Sequence, residues 1–381
     1  MEKRQFETVI IGGGQAGLAT AYHLTQRHMS CVILDENERV GAAWRKRWDS
    51  LRLFTPGRYD GLPGMPCPGR SWSYPGKDDI ANYLEAYASR FGLPVKNGVK
   101  VVRVTAEGDN YCIETNDGVI VAHNVVVATG PFHHPRIPFF AGDLDPQIIQ
   151  MHSSEYQTPS QVQDGPVLVV GAGQSGAEIA LDMSPDHKVW LSGRDTGEEP
   201  VIRGTLKGRL LTPVFAFTAR KVFNVGNPLG RKLRTHFFYP PRGIPRIGGT
   251  KKLLKQANVE WVERTGGISD GYPQLENGRV LKVNNVIWCT GFVTDYSWID
   301  LPIFDEYGFP AHKRGAVSEH SGLYFIGMPF QSTLSSSLMM GVGKDAGFIA
   351  NHIASNRAIK EVKFGTGLKQ ISIMEQMSKQ A

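Results

Sequence analysis

The sequence predicts an α/β fold of two Rossmann-like domains, the second inserted within the first. Three observations predict it. Two fingerprints of the form G-x-G-x-x-G occur in order along the 381 residues, each opened by an apolar strand. Two further apolar strands end in Thr-Gly, one before and one after the second fingerprint, as strands that return a chain between modules do. The composition, 41% hydrophobic and 20% charged, is ordinary for a globular chain long enough to hold two domains.

The first fingerprint is Thr8-Val-Ile-Ile-Gly-Gly-Gly-Gln-Ala-Gly. Its apolar residues read as a buried parallel strand, and the glycines open a helix. Gly12 permits the tight turn, Gly14 lets the backbone approach a pyrophosphate, and Gly17 lets helix and strand pack closely. Gln15 and Ala16 carry the first helical N–H groups, where the dipole favours an anion. The next strand, Cys31-Val-Ile-Leu-Asp35, ends in an acid eighteen residues after Gly17. Asp35, with Glu36 beside it, is placed to accept ribose hydroxyls. Val102 is a further cofactor-binding candidate.

The second fingerprint, Val167-Leu-Val-Val-Gly-Ala-Gly-Gln-Ser-Gly176, repeats the pattern with Gly171, Gly173 and Gly176 in the same roles, and Gln174 and Ser175 at the helix start. Its following strand, Lys188-Val-Trp-Leu-Ser-Gly-Arg194, places Ser192 where the acid stood. Losing the carboxylate removes repulsion against a 2′-phosphate, and Arg194 can pair with one, which favours NADPH over NADH. A dehydrogenase needs one such module. A tightly bound FAD reduced by a nicotinamide coenzyme needs two, so FAD and NADPH are the expected cofactors. The returning strands supply Ala128, Thr129 and Gly130 on one side and Thr290 and Gly291 on the other. The expected division is residues 1–159 for the first part of the FAD domain, 160–283 for the NADPH domain, and 284–381 for the second part of the FAD domain.

These motifs, with Gly41-Ala-Ala-Trp44-Arg45, Trp48-Asp-Ser-Leu-Arg-Leu-Phe-Thr55-Pro and Gly322-Leu-Tyr-Phe-Ile-Gly327-Met-Pro-Phe-Gln-Ser-Thr-Leu334, resemble the class B flavin-containing monooxygenases, including the plant auxin-forming enzymes and bacterial relatives. The resemblance covers most of the chain. It implies that Trp44, Arg45, Leu53 and Thr55 lie beside the flavin, and that Gly327 and Leu334 close over its ring and ribityl chain. A family fingerprint is present in stretched form: Phe140-Ala-Gly142 precedes His152-Ser-Ser-Glu-Tyr156 by nine residues rather than three. The family's amine-oxidising members carry an asparagine where this chain has Leu53-Phe54-Thr55, which leaves Thr55 as the catalytic candidate.

The implied activity is oxygenation of a small soft nucleophile, a sulfide or an amine, by O2 through a C4a-(hydro)peroxyflavin. Two alternatives stay open: a reductase passing electrons to an iron–sulfur protein or other acceptor, and a redox sensor without turnover. A disulfide reductase is disfavoured, since Cys31, Cys67, Cys112 and Cys289 form no C-x-x-C pair. The same scatter argues against a metal site. The segment Met1 to Glu7 is charged, and no apolar run reaches the ~18 residues of a spanning helix, so a cytoplasmic protein without a transmembrane segment is expected. Between Arg203 and Val259 stand thirteen Lys or Arg and no Asp or Glu, while the rest of the chain is net acidic. No nucleic-acid reading module accompanies that charge. The sequence leaves a homodimer, and the role of the basic stretch, open.

Overall fold

The computed structural model describes residues 4–238 and 245–378. The first apolar run becomes β1 (Arg4–Ile11), whose inner end is buried on both faces and so reads as continuous rather than alternating. A glycine turn leads into α1 (Gln15–Thr25), and β2 (Cys31–Asp35) runs parallel to β1. After Gly76 comes α2 (Lys77–Arg90), with Asp78 and Asp79 in its first turn, where carboxylates suit the positive helix end. It buries Ile80, Tyr83, Leu84 and Tyr87 at helical spacing in one core with Leu18 and Leu24 of α1. β3 (Val95–Asn97) joins β2 in parallel. β4 (Val101–Glu107), β5 (Asn110–Thr115) and β6 (Gly118–Val127) then fold as an antiparallel meander, and β6 returns parallel to β1.

The second sheet is parallel throughout. Its strands are β7 (Ile149–His152), β8 (Val167–Val170), β9 (Val189–Ser192), β10 (Glu260–Val262) and β11 (Asn285–Trp288), in the order β10-β9-β8-β11-β7. α3 (Gln174–Met183) follows β8, and α4 (Leu206–Phe217), α5 (Pro228–Phe238) and α6 (Thr250–Gln256) occupy the stretch between β9 and β10. β12 (Leu323–Phe325) pairs parallel with β6 as the seventh strand of the first sheet. α7 (Met339–Ser378) then lays Val342, Ala346, Ile349 and Ile353 into the core it shares with α1.

The α/β fold with two parallel-stranded modules is the one expected. The sheets, however, divide the chain elsewhere than at residues 159/160 and 283/284. β7 precedes the first of those points and β11 follows the second, yet both belong to the second sheet. The reason is the pairing: β11 lies beside β8 in register from Asn285 against Val167 to Trp288 against Val170, so β8 is covered on both edges and the sheet stays buried. The second Thr-Gly strand is therefore the neighbour of the second fingerprint, not the return to the first module. That return is made by β12.

Candidate functional site

At the first fingerprint the backbone does most of the work. Gly12 has φ +111°, and a Cβ there would sit 2.6 Å from the Ala128 carbonyl oxygen at the end of β6. A Cβ on Gly17 would overlap the Gly12 carbonyl oxygen, so α1 packs on β1 only because residue 17 has no side chain. Gly14, the residue capping α1, has nothing within 4 Å of an added Cβ, and the same holds for Gly130. Thr129 Oγ1 is buried with no hydrogen-bond partner. An open cradle at a helix N-terminus with an orphaned hydroxyl beside it fits the pyrophosphate of a dinucleotide.

Asp35 is spent on the protein itself. Its Oδ2 accepts the Gly13 N–H at 2.5 Å, and its Oδ1 accepts the Asn37 N–H at 2.8 Å. It thus fastens the glycine loop to β2, and Glu36 stands exposed one residue on. Gln15 bridges two candidate segments, donating from Nε2 to the Ser337 carbonyl at 3.3 Å and accepting from Trp44 Nε1 at 3.4 Å. Gly327, after β12, faces α1 closely enough that an added Cβ would lie 3.1 Å from that of Ala16. Arg45 reaches α2, donating to Glu85 at 2.6 Å and Asn82 at 2.9 Å. Val102 lies half-exposed on β4, three residues beyond Val99, whose N–H bonds the Asp35 carbonyl.

The second fingerprint repeats this construction. Gly171 has φ +115° and lies against the Cys289 carbonyl at the end of β11, and a Cβ on Gly176 would overlap the Gly171 carbonyl oxygen. Gly173 and Gly291 are open, and Ser175 lies half-buried in the first turn of α3. Gln174 is engaged at both ends of its amide, donating to Glu178 at 2.8 Å and accepting from the Ile247 N–H at 2.9 Å. Ser192 is fully buried, and its hydroxyl donates to the Glu263 carbonyl and accepts from the Thr265 N–H, each at 2.8 Å. It anchors the hairpin after β10, while Arg194 stands exposed two residues further on.

A cluster of Arg246, Lys251 and Asp195, its two cations drawn from the basic stretch, borders this loop. Arg246 is fully buried, donating to the Ala172 carbonyl inside the fingerprint at 2.8 Å and to Asp195 at 2.6 Å, with its guanidinium 4.5 Å from the centre of the Trp261 ring. Lys251 and Arg246 hold the Asp195 carboxyl well below the usual carboxylate range. The cluster escaped notice because Arg246 stands 51 residues from Asp195, with no motif to link them.

The two crossing turns are stapled together. His134–Pro135 pairs antiparallel with Phe292–Val293, Thr290 donates to the Arg136 carbonyl, and the Gly291 carbonyl accepts from the Arg136 N–H at 2.9 Å. His152 Nδ1 accepts the Ser154 N–H at 3.1 Å, which leaves the proton on Nε2 to bond the Gly291 carbonyl at 3.0 Å. Burial lowers the pKa of this ring and keeps it neutral. Tyr156 is buried and donates to Asp182 of α3 at 2.7 Å. The His and Tyr of the stretched fingerprint thus pin the second module to its crossing turn.

The segment bearing Leu53 and Thr55 holds a buried carboxyl. Thr55 Oγ1 donates to Asp60 Oδ1 at 2.5 Å, and Asp60 Oδ2 is buried without a partner. Burial pushes the Asp60 carboxyl up to about 7, against the opposing pull of its bond from Thr55 and of Arg220. Arg220 in turn donates to the Met340 carbonyl in the first turn of α7 at 2.6 Å, and Leu334 N–H bonds the Phe223 carbonyl at 2.9 Å. Thus residues 53–60, 220–223 and 334–340 converge. Asp60 was missed because a lone acid in a Pro- and Gly-rich loop carries no pattern. Among the described residues no cluster of three or more His, Cys, Asp or Glu would hold a metal, and no helix is long and apolar enough to cross a membrane.

Comparison with known proteins follows the same lines. A model of the pyridine nucleotide-disulphide oxidoreductase family matches residues 9–209. A CzcO-like oxidoreductase of Geobacillus kaustophilus is 40% identical over 92% of this chain and 99% of its own length. A probable indole-3-pyruvate monooxygenase of Arabidopsis thaliana, YUCCA9, is 26% identical over 89% of this chain and 88% of its own. Among solved structures, a flavin-containing monooxygenase from Stenotrophomonas maltophilia superposes with a TM-score of 0.75 at 24% identity, covering 93% of this chain and 99% of that one, and this likeness carries the fold.

Proposed function

Because the chain belongs to the pyridine nucleotide-disulphide oxidoreductase family, we propose that it is a flavin-dependent, NADPH-oxidising monooxygenase acting on a small soft nucleophile, a sulfide or an amine. Family membership supports FAD and NADPH as its two cofactors, FAD at the first fingerprint and NADPH at the second, in a module running from β7 to β11. Bound flavin supplies hydride acceptance and the activation of O2. Everything else falls to the chain. Gly14, Gln15 and Ala16 present the N-terminus of α1 to one pyrophosphate, and Gly173, Gln174 and Ser175 present that of α3 to the other. Glu36 takes the ribose hydroxyls of the first, and Arg194 the 2′-phosphate of the second.

The observation that carries the oxygenating reading is the buried Thr55–Asp60 pair. A carboxyl held near neutrality can keep a proton at working pH and give it up when charge changes beside it. Protonated Asp60 orients the Thr55 hydroxyl, and the surrounding burial keeps out the water that would divert oxygen chemistry to hydrogen peroxide.

The test mixes NADPH-reduced protein with oxygenated buffer and follows absorbance. A long-lived transient distinct from oxidised and reduced protein is expected, with sulfide or amine consumption coupled to its decay. Thr55→Val is expected to shorten its life about tenfold or more, whereas Asp60→Asn, which stays neutral and still accepts the Thr55 bond, keeps it. The sign of the pH effect follows from the raised carboxyl: the transient is stable below about 7 and is lost as pH rises through that value, a dependence that Asp60→Asn removes. Immediate return to oxidised flavin with stoichiometric hydrogen peroxide would sink the proposal in favour of a reductase.

A further inference from the structure

α4 is built inside out. Its inward positions, four apart, are Gly208, Thr212 and Ala216, all buried. Its outward positions are Leu206, Leu210, Val214 and Phe217, which are 75%, 68%, 58% and 61% exposed. The small inner residues have a cause, since a Cβ on Gly208 would overlap the Ile202 carbonyl oxygen of the adjoining strand. Among the described residues nothing covers the outer row. Four large apolar side chains in one line along a helix, facing water, mark a surface made to be covered.

The surroundings say by what. Lys207 and Arg209 are exposed on the same helix, and Lys221, Arg231 and Lys232 are exposed just beyond it. Among the described residues none of Lys207, Arg209, Lys221 and Lys232 forms a salt bridge. They belong to the stretch of thirteen cations without an acid, of which Arg242 lies outside the described residues. The row stands out from the surface, each of its four side chains more than half exposed. A ridge of apolar side chains flanked by one sign of charge suits a lipid interface, where apolar groups pass below the headgroups and Lys stems reach back to phosphate.

We propose that α4 docks this protein on an anionic phospholipid surface. The inference goes beyond the proposed oxygenation and does not rest on it. It does bring the site close to the membrane, because Arg209 of α4 lies 6.0 Å from the Trp72 ring and Arg203 lies 5.9 Å from the Phe54 ring, one residue from Thr55.

The experiment sediments the full-length, flavin-loaded protein with vesicles of phosphatidylcholine plus phosphatidylglycerol, and with vesicles of phosphatidylcholine alone. Binding to the first and little to the second is expected, weakening as salt is raised. The double variant Leu206→Gln/Leu210→Gln is expected to bind at least about tenfold more weakly, and Lys207→Gln about fivefold more weakly. Flavin absorbance retained at wild-type level shows that these surface variants fold. Absence of binding to the anionic vesicles at low salt overturns the proposal, as does unchanged binding of the Leu variant. A wild-type dimer by light scattering that the Leu variant converts to monomer also overturns it, because a second copy then covers the ridge.

Discussion

The two fingerprint modules share a backbone and differ in where they keep their charge. In both, the first glycine lies in the left-handed region against a carbonyl of the neighbouring returning strand, Ala128 in one case and Cys289 in the other. In both, the third glycine admits the preceding carbonyl where no side chain would fit. The last residue of the second strand also has one duty in both modules. Asp35 ties down the Gly13 N–H, and Ser192 ties down Thr265 and Glu263. The groups proposed to select a ligand stand one or two residues later, Glu36 in the first module and Arg194 in the second. On that proposal, scaffold and selectivity are separated by a step along the chain.

That separation can be broken by mutation. Gly17→Ala and Gly176→Ala carry the largest expected effect, about 3 kcal/mol or more of local stability each, since the added methyl meets backbone rather than a yielding side chain. Gly17→Ala should lose flavin absorbance, whereas Gly176→Ala should keep flavin that dithionite bleaches and NADPH does not. Loss of flavin in both would show that the modules do not stand apart. Next, Ser192→Ala leaves the buried Thr265 N–H without its acceptor, lowering stability by about 1–3 kcal/mol in denaturant titration while the KM for NADPH stays unchanged. The smallest effect is at the lip: Arg194→Ala should raise the KM for NADPH about tenfold and leave that for NADH alone. A larger effect of Ser192→Ala than of Arg194→Ala on NADPH would move selectivity back into the strand.

The parts of the molecule that repeat were legible in the sequence, because a glycine turn between a buried strand and a helix leaves a fixed spacing. Gly12, Gly14 and Gly17 recur as Gly171, Gly173 and Gly176, and both sets occupy the turns expected of them. Strand neighbours were less legible. Val286-Ile-Trp reads as a returning strand whichever sheet receives it, and only pairing beside Val167–Val170 decides the matter. Arg45 is placed by its motif, but its bonds to Glu85 and Asn82 of α2, forty residues or so along the chain, leave no pattern in the sequence. Asp60 and Arg246 lay beyond sequence reasoning for one shared reason. Each owes its character to burial beside residues brought from elsewhere, Arg220 and Met340 near the one and Ala172 and Asp195 at the other.

The staple between His134–Pro135 and Phe292–Val293 carries a consequence for how such a chain can be rebuilt. The chain leaves for the second sheet and comes back from it at adjacent, hydrogen-bonded points, so the intervening stretch begins and ends at one doorway, while Arg220 and Phe223 tie it to Met340 and Leu334 as well. A cassette with both ends at one doorway can be exchanged for a homologous one without spanning any distance in the host. The parts to keep in such a graft are the doorposts, Arg136, Thr290 and Gly291, rather than the fingerprints on either side.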